Sequence, residues 1–113
     1  MTEYHGWITL CCTDATWDDG RWGDARDEIQ RQIAHFNAED GHSIAFAETT
    51  ESMQTLQLSG CTEQDIALVL KLMELVGQTV PNSYGELVAF EGDRPDLATA
   101  QRYRLTGGRL SRL

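Results

Sequence analysis

The chain lacks any apolar run approaching the roughly 20 residues needed to span a bilayer. Its N-terminus, Met1-Thr2-Glu3-Tyr4-His5, has neither a basic region nor an apolar signal stretch. Together these absences predict a cytoplasmic protein with no membrane partner. Cysteine is scarce, at three residues. An odd count at irregular spacing is no disulfide framework, and no pair has the two-residue gap that zinc sites favour. Cys11 and Cys12 are adjacent in a strand-like run, so their side chains should point to opposite faces. The simplest role for all three is as small buried hydrophobes with thiols. Positive charge is also scarce. Nine basic residues stand against 18 acids, a formal net charge of −9. Residues 1–96 hold all 18 acids with five basic residues, a formal −13, whereas 97–113 hold four arginines and no acid, +4. A field of this sign repels nucleic acid and attracts basic partners, and it also keeps a protein soluble.

Recognisable catalytic chemistry is missing as well. An enzyme should show a nucleophile, a base or a metal set. The histidines, His5, His35 and His42, fall in a strand start, a helix and a turn. His35 and Glu39 lie four apart, a spacing common on ordinary helices. No phosphate-binding glycine loop or nucleophile elbow is present, and Gly107-Gly108 lacks the following helix that such loops need. Asp14, Asp18, Asp19 and Asp24 do not have the alternating spacing of a calcium loop. The chain is therefore expected to be no enzyme and to use no metal or cofactor.

What is present is an ordinary globular composition, 41% hydrophobic and 24% charged. A chain of 113 residues fits one domain, and at this size it buries roughly two-thirds of its unfolded surface. Residues 5–12 read as a strand, being aromatic, β-branched and apolar. In residues 21–37, Trp22, Ala25, Ile29, Ile33 and Phe36 recur every three or four positions, which predicts an amphipathic helix. Asp18 and Asp19 suit its N-terminal dipole, and Gly41 follows its end. Residues 43–49 and 53–60 alternate as two strands around the short linker Thr50-Glu51-Ser52. Thr62, with Asp65 three residues on, reads as the cap of a second helix. Its stripe is Ile66, Val69, Leu70, Met73 and Val76, widened by Leu68, Leu72 and Leu75. Strands follow at 84–91 and 101–106. Arg109–Leu113 adds a short strand or a tail.

The order βαββαββ predicts an α+β fold. Two helices cover one face of a mainly antiparallel sheet, ferredoxin-like in its first six elements. Ile8, Leu10, Ile44, Phe46, Leu56, Leu58 and Leu105 should face the helices. Trp7, Thr9, Thr55, Gln57, Arg102 and Arg104 should face away. In that topology Asp14, Asp18, Asp19, Glu48 and Glu51 gather beside Trp17, where the first strand and the hairpin both end. Aromatics set among charges are typical of an interface anchor with a polar rim. The bland counterpart is that Trp22 belongs to the helix stripe and Trp17 folds back onto it. The opposite end would collect Glu39, Asp40, Glu91, Asp93 and Asp96.

Four segments in order carry a resemblance. They are Tyr4-His5-Gly6-Trp7-Ile8, Leu56-Gln57-Leu58-Ser59-Gly60, Pro81-Asn82-Ser83-Tyr84-Gly85-Glu86-Leu87 with the acidic loop Glu91–Asp93, and Tyr103-Arg104-Leu105 before Gly108-Arg109-Leu110. In these the chain resembles immunity protein family seven of bacterial polymorphic-toxin systems. It departs in Cys11-Cys12 and in a short C-terminus. The resemblance implies a cytoplasmic α+β antidote that binds and blocks a cognate toxin domain, with no catalytic residues of its own. A nuclease toxin would suit the acidic charge, by analogy with phosphate. The competing expectation is a small-molecule-binding regulatory domain of the same shape, which would need an apolar pocket with convergent polar groups.

Overall fold

A computed structural model of the chain describes residues 1–11, 17–37, 42–50, 53–62, 66–91, 93 and 96–113, with 42–50 and 53 as backbone alone. The elements are β1 (Thr2–Cys11), α1 (Asp19–Asn37), β2 (His42–Thr50), β3 (Met53–Thr62), α2 (Ala67–Thr79), β4 (Tyr84–Glu91), β5 (Gln101–Thr106) and β6 (Arg109–Arg112). The fold is α+β, as expected, with one more strand than the seven-element order. The strands form a single six-stranded sheet in the order β2-β3-β1-β4-β5-β6, and every neighbouring pair is antiparallel. β1 and β2 are thus parallel with β3 between them. Likewise β3 and β4 are parallel with β1 between them. Each helix makes one of these split crossovers.

The helices touch each other, α1 lying on β2 and α2 on β5 and β6. Their shared floor is set by register. Tyr4, Ile8 and Leu10 of β1 stand level with Gly60, Leu56 and Gln54 of β3, and Tyr4, Gly6 and Ile8 stand level with Ala89, Leu87 and Gly85 of β4. Tyr103 and Leu105 continue the row through Leu87 and Gly85. These positions are the alternate residues of each strand, so they share one face. Tyr4, Ile8, Leu10, Leu56, Leu58, Leu87 and Leu105 are buried there beneath Ile29, Ile33, Val69, Met73 and Val76. Ile44 and Phe46 pair in register with Leu58 and Leu56.

Several boundaries differ from the sequence reading. β1 starts at Thr2 because residues 2–5 pair on both sides, with β3 and with β4. Thr62 does not cap a helix. It closes β3 opposite Thr2, since a β-branched residue suits the extended ladder. α2 begins only at Ala67, after Ile66, which has no side-chain cap. The apolar stripe of α2 is narrower than its sequence implies. Val69, Leu72, Met73 and Val76 are buried, Leu70 and Leu75 are half-buried, and Leu68 is exposed. The expectations placed on Cys12, Asp14, Glu39, Asp40, Gly41, Glu51, Ser52 and Asp65 lie outside the described residues.

Two glycine sites shape the sheet. Gly85 sits so close to β1 that a Cβ would lie 2.0 Å from the Trp7 carbonyl oxygen. Gly107 and Gly108 both have positive φ, 58° and 78°, which fits the tight hairpin turn between β5 and β6. That turn makes Arg109–Arg112 a real strand rather than a tail.

Candidate interaction surface

The first surface lies at the end of the sheet where β1 finishes. Trp17, Asp18 and Asp19 enter α1 there. Asp18 does two things at once. Its Oδ1 accepts the Arg21 backbone N–H at 2.7 Å, and its carbonyl accepts the Trp22 N–H at 3.0 Å. It is therefore the N-cap of α1. Asp19 occupies the first turn, where the helix dipole favours a carboxylate. Both acids are exposed.

Trp17 is half-buried rather than free. It packs against the core and meets Trp22 edge-on, with ring centroids 6.4 Å apart at 82°. The Arg21 guanidinium covers its ring at 3.9 Å from the centroid, a cation–π contact. Glu48 is placed at this same end. It pairs in register with Gln54, which pairs with Leu10 of β1. The α2–β4 connection arrives here too, since Tyr84 stands level with Thr9. Trp17, Asp18, Asp19 and the Glu48 backbone thus occupy one end, while Asp14 and Glu51 lie outside the described residues.

The second surface is the sheet face that the helices leave open. Trp7, Thr9, Thr55, Gln57, Arg102 and Arg104 lie on it, as their alternation predicts. Register adds Tyr84, Glu86, Val88 and Phe90 from β4. Trp7 and Tyr84 meet edge-on at 5.8 Å and 88°, yet remain 38% and 41% exposed. His5 stacks on Phe90 at 6.2 Å, and its Nε2 lies 3.1 Å from Glu3 Oε1. Beside this aromatic strip stand Arg102, Arg104 and Arg109. Arg104 donates to Glu86 Oε1 through Nε at 3.1 Å and Nη2 at 2.8 Å. Arg102 and Arg109 form no ion pair among the described residues. In sequence Trp7 and Tyr84 are far apart. Only the β1–β4 register joins them, so the single usable signal was an outward-facing aromatic in each strand.

Elsewhere, Glu28 on α1 is held below the usual carboxylate range by hydrogen bonds from Arg31 and Gln32. This is a solvated helix pair of small consequence. Among the described residues Tyr4 shows the one large shift. Burial, aided by Cys61, pushes its hydroxyl up to about 12. No cluster of three metal-ligating side chains occurs among the described residues, and no helix there is long and apolar enough to cross a membrane. Clefts of ≈ 400 Å³ at Thr2, Ile66, Phe90 and Gln101 and ≈ 310 Å³ between Gln32, His35, Leu68 and Lys71 are surface troughs. The second lies between the two helices.

The model of the family described as Immunity protein 7 matches residues 1–112. The chain belongs to that family. No curated protein and no solved structure matches it.

Proposed function

We propose, from membership of this immunity family, that the chain binds a cognate toxin domain in the cytoplasm and blocks it. The acidic end of the sheet meets a basic surface on the toxin. The observation that supports this most is local. Asp18 and Asp19 stand exposed at the N-terminus of α1, beside Trp17, and the Glu48 backbone lies at the end of the sheet where β1 finishes. Asp14 and Glu51 belong to the same acidic set by sequence position. A carboxylate cluster around a half-buried tryptophan provides long-range attraction and a short-range anchor in one place. A toxin that handles phosphates, such as a nuclease, has a cleft of the required sign. Inhibition then follows from occupying that cleft, with no chemistry contributed by this chain and no cofactor.

Binding kinetics with the toxin domain encoded beside this chain test the assignment. The paired change Asp18→Asn and Asp19→Asn keeps an N-cap residue, because asparagine caps as well as aspartate. It should lower the association rate and flatten its dependence on salt. Trp17→Ala should raise the dissociation rate. Unchanged association for the double variant at low salt rules out the acidic end as the toxin contact.

A further inference from the structure

We propose that the toxin contact, on the toxin-binding role proposed above, continues onto the open face of the sheet. There the partner would present an apolar patch bordered by carboxylates. Exposed aromatics are the first reason. Trp7 and Tyr84 form a packed pair with about two-fifths of each side chain in water. Val88 lies beside them and Phe90 beyond it, under His5. Trp, Tyr and Arg are the residue types that concentrate binding energy, and all three meet here.

Position is the second reason. Thr9 pairs with Tyr84, and Cys11 ends β1 two residues later. The aromatic pair therefore sits near the end of the sheet from which the chain leaves for Trp17 and α1. A strand rises about 3.3 Å per residue and neighbouring strands lie about 4.8 Å apart. One partner can bridge both surfaces around that end.

Charge selects the occupant. In a chain of net −9, this face carries Arg102, Arg104 and Arg109 along its β5–β6 margin. Among the described residues, its strand carboxylates Glu86 and Glu3 already meet Arg104 and His5. Arg102 and Arg109 are left to meet acid from outside. A second copy does not supply it. Two open faces would bring arginine margins together, and among the described residues the one carboxylate beside this face without an ion pair is Asp93, next to Glu3 and Cys61 at the start of β1 and away from the β5–β6 margin. Docking the arginines on the acidic helix side of another copy would be head-to-tail, which builds a ring or an open filament and not a two-fold dimer. The cognate toxin domain is then bipolar. It is basic where it meets Asp18 and Asp19, and apolar with an acidic border where it meets Trp7 and the arginines. Opposed charges at two sites fix one orientation and reject partners carrying only one of them.

The test measures the affinity of the purified toxin domain for four forms of the chain. These are the parent, Trp7→Ala, the pair Arg102→Glu with Arg109→Glu, and the pair Asp18→Asn with Asp19→Asn. Trp7→Ala should weaken binding about 30-fold or more, the loss of an anchor residue. The arginine pair should weaken it about tenfold or more, since each reversed charge faces a carboxylate. Circular dichroism checks the fold. Should Trp7→Ala unfold, the arginine pair decides alone, because Arg102 and Arg109 are exposed. If both open-face variants bind like the parent while the aspartate pair slows association, the open face is not a contact. The acidic-end assignment then stands without it. If the parent does not bind the toxin domain at all, both fall. Light scattering of the free chain should report a monomer. A dimer that the arginine or Trp7 variant dissolves would place a second copy on this face and overturn the proposal.

Discussion

The two faces of the sheet are built from the same strands, one residue out of step, and they have different fates. On the helix side Tyr4, Ile8, Leu87 and Leu105 are completely buried. On the other side Trp7 and Tyr84, from two of those strands, keep 38% and 41% of their surface in water. An antiparallel sheet covered on one side ordinarily alternates apolar with polar. Here the outward rows of β1 and β4 carry Trp7, Tyr84, Val88 and Phe90 among Glu3, His5, Thr9 and Glu86, and β5 alternates apolar with arginine. The difference separates two uses of a large side chain. One set is held by this chain alone. The other is packed within the chain only in pairs, and it is available to a partner.

The largest expected effect lies in the core. Met73 is completely buried on α2. Met73→Ala should cost roughly 2–5 kcal/mol, from lost transfer energy and the cavity left behind. Leu70, half-buried on the same helix, should cost about half as much when truncated, since less area leaves water in the first place. Trp7→Ala should cost less stability than Met73→Ala, while costing more in toxin binding. Denaturant unfolding of the three variants orders these effects. A loss at Trp7 equal to that at Met73 would mean that the open face is a second core and not a contact surface.

A smaller effect is expected from a polar group on the buried side. Tyr4 ionises at about 12 in the folded chain because burial opposes the phenolate, whereas the unfolded chain ionises near 10. The raised folded value means that stability is full below about pH 10. It falls as pH rises toward 12, because the unfolded chain releases a proton that the folded chain retains. Tyr4→Phe should remove part of that decline. Chemical denaturation of parent and variant at pH 8 and near pH 11 measures it, with both values set by the ordinary tyrosine range. Parallel losses in the two proteins would show that Tyr4 is not the group responsible.

Much of the fold was legible because it rests on local periodicities. The stripe Trp22, Ala25, Ile29, Ile33 and Phe36 predicted α1, and its last four residues are buried while Trp22 is half-buried against the core. Alternation in β3 and β5 placed Leu56, Leu58 and Leu105 inward. The errors fall where two tendencies compete for one segment. Thr62 is a good cap and also a good strand residue, and pairing with β1 decided between them. Leu68 and Leu70 look like core by hydropathy, but a helix lying on a flat sheet buries only part of its circumference. The acidic end was legible in outline, because topology alone brings the start of α1 beside the β2–β3 hairpin. That Trp17 folds back onto the Trp22 stripe was one of the two readings of the sequence, whereas its covering by Arg21 was not legible, since side-chain direction at a helix entrance depends on the cap. The Trp7–Tyr84 pair was hidden for a different reason. It depends on the register between two strands distant in sequence, and a slip of one residue would send Tyr84 to the other face.

On the proposed function, this chain neutralises its toxin by stoichiometric binding. This is tested most directly by titrating the purified chain into an activity assay of the toxin domain encoded beside it. Activity should fall linearly and vanish near one equivalent, while an unrelated toxin keeps its full activity under the same addition. Full activity of the neighbouring toxin in the presence of excess folded chain would contradict the account.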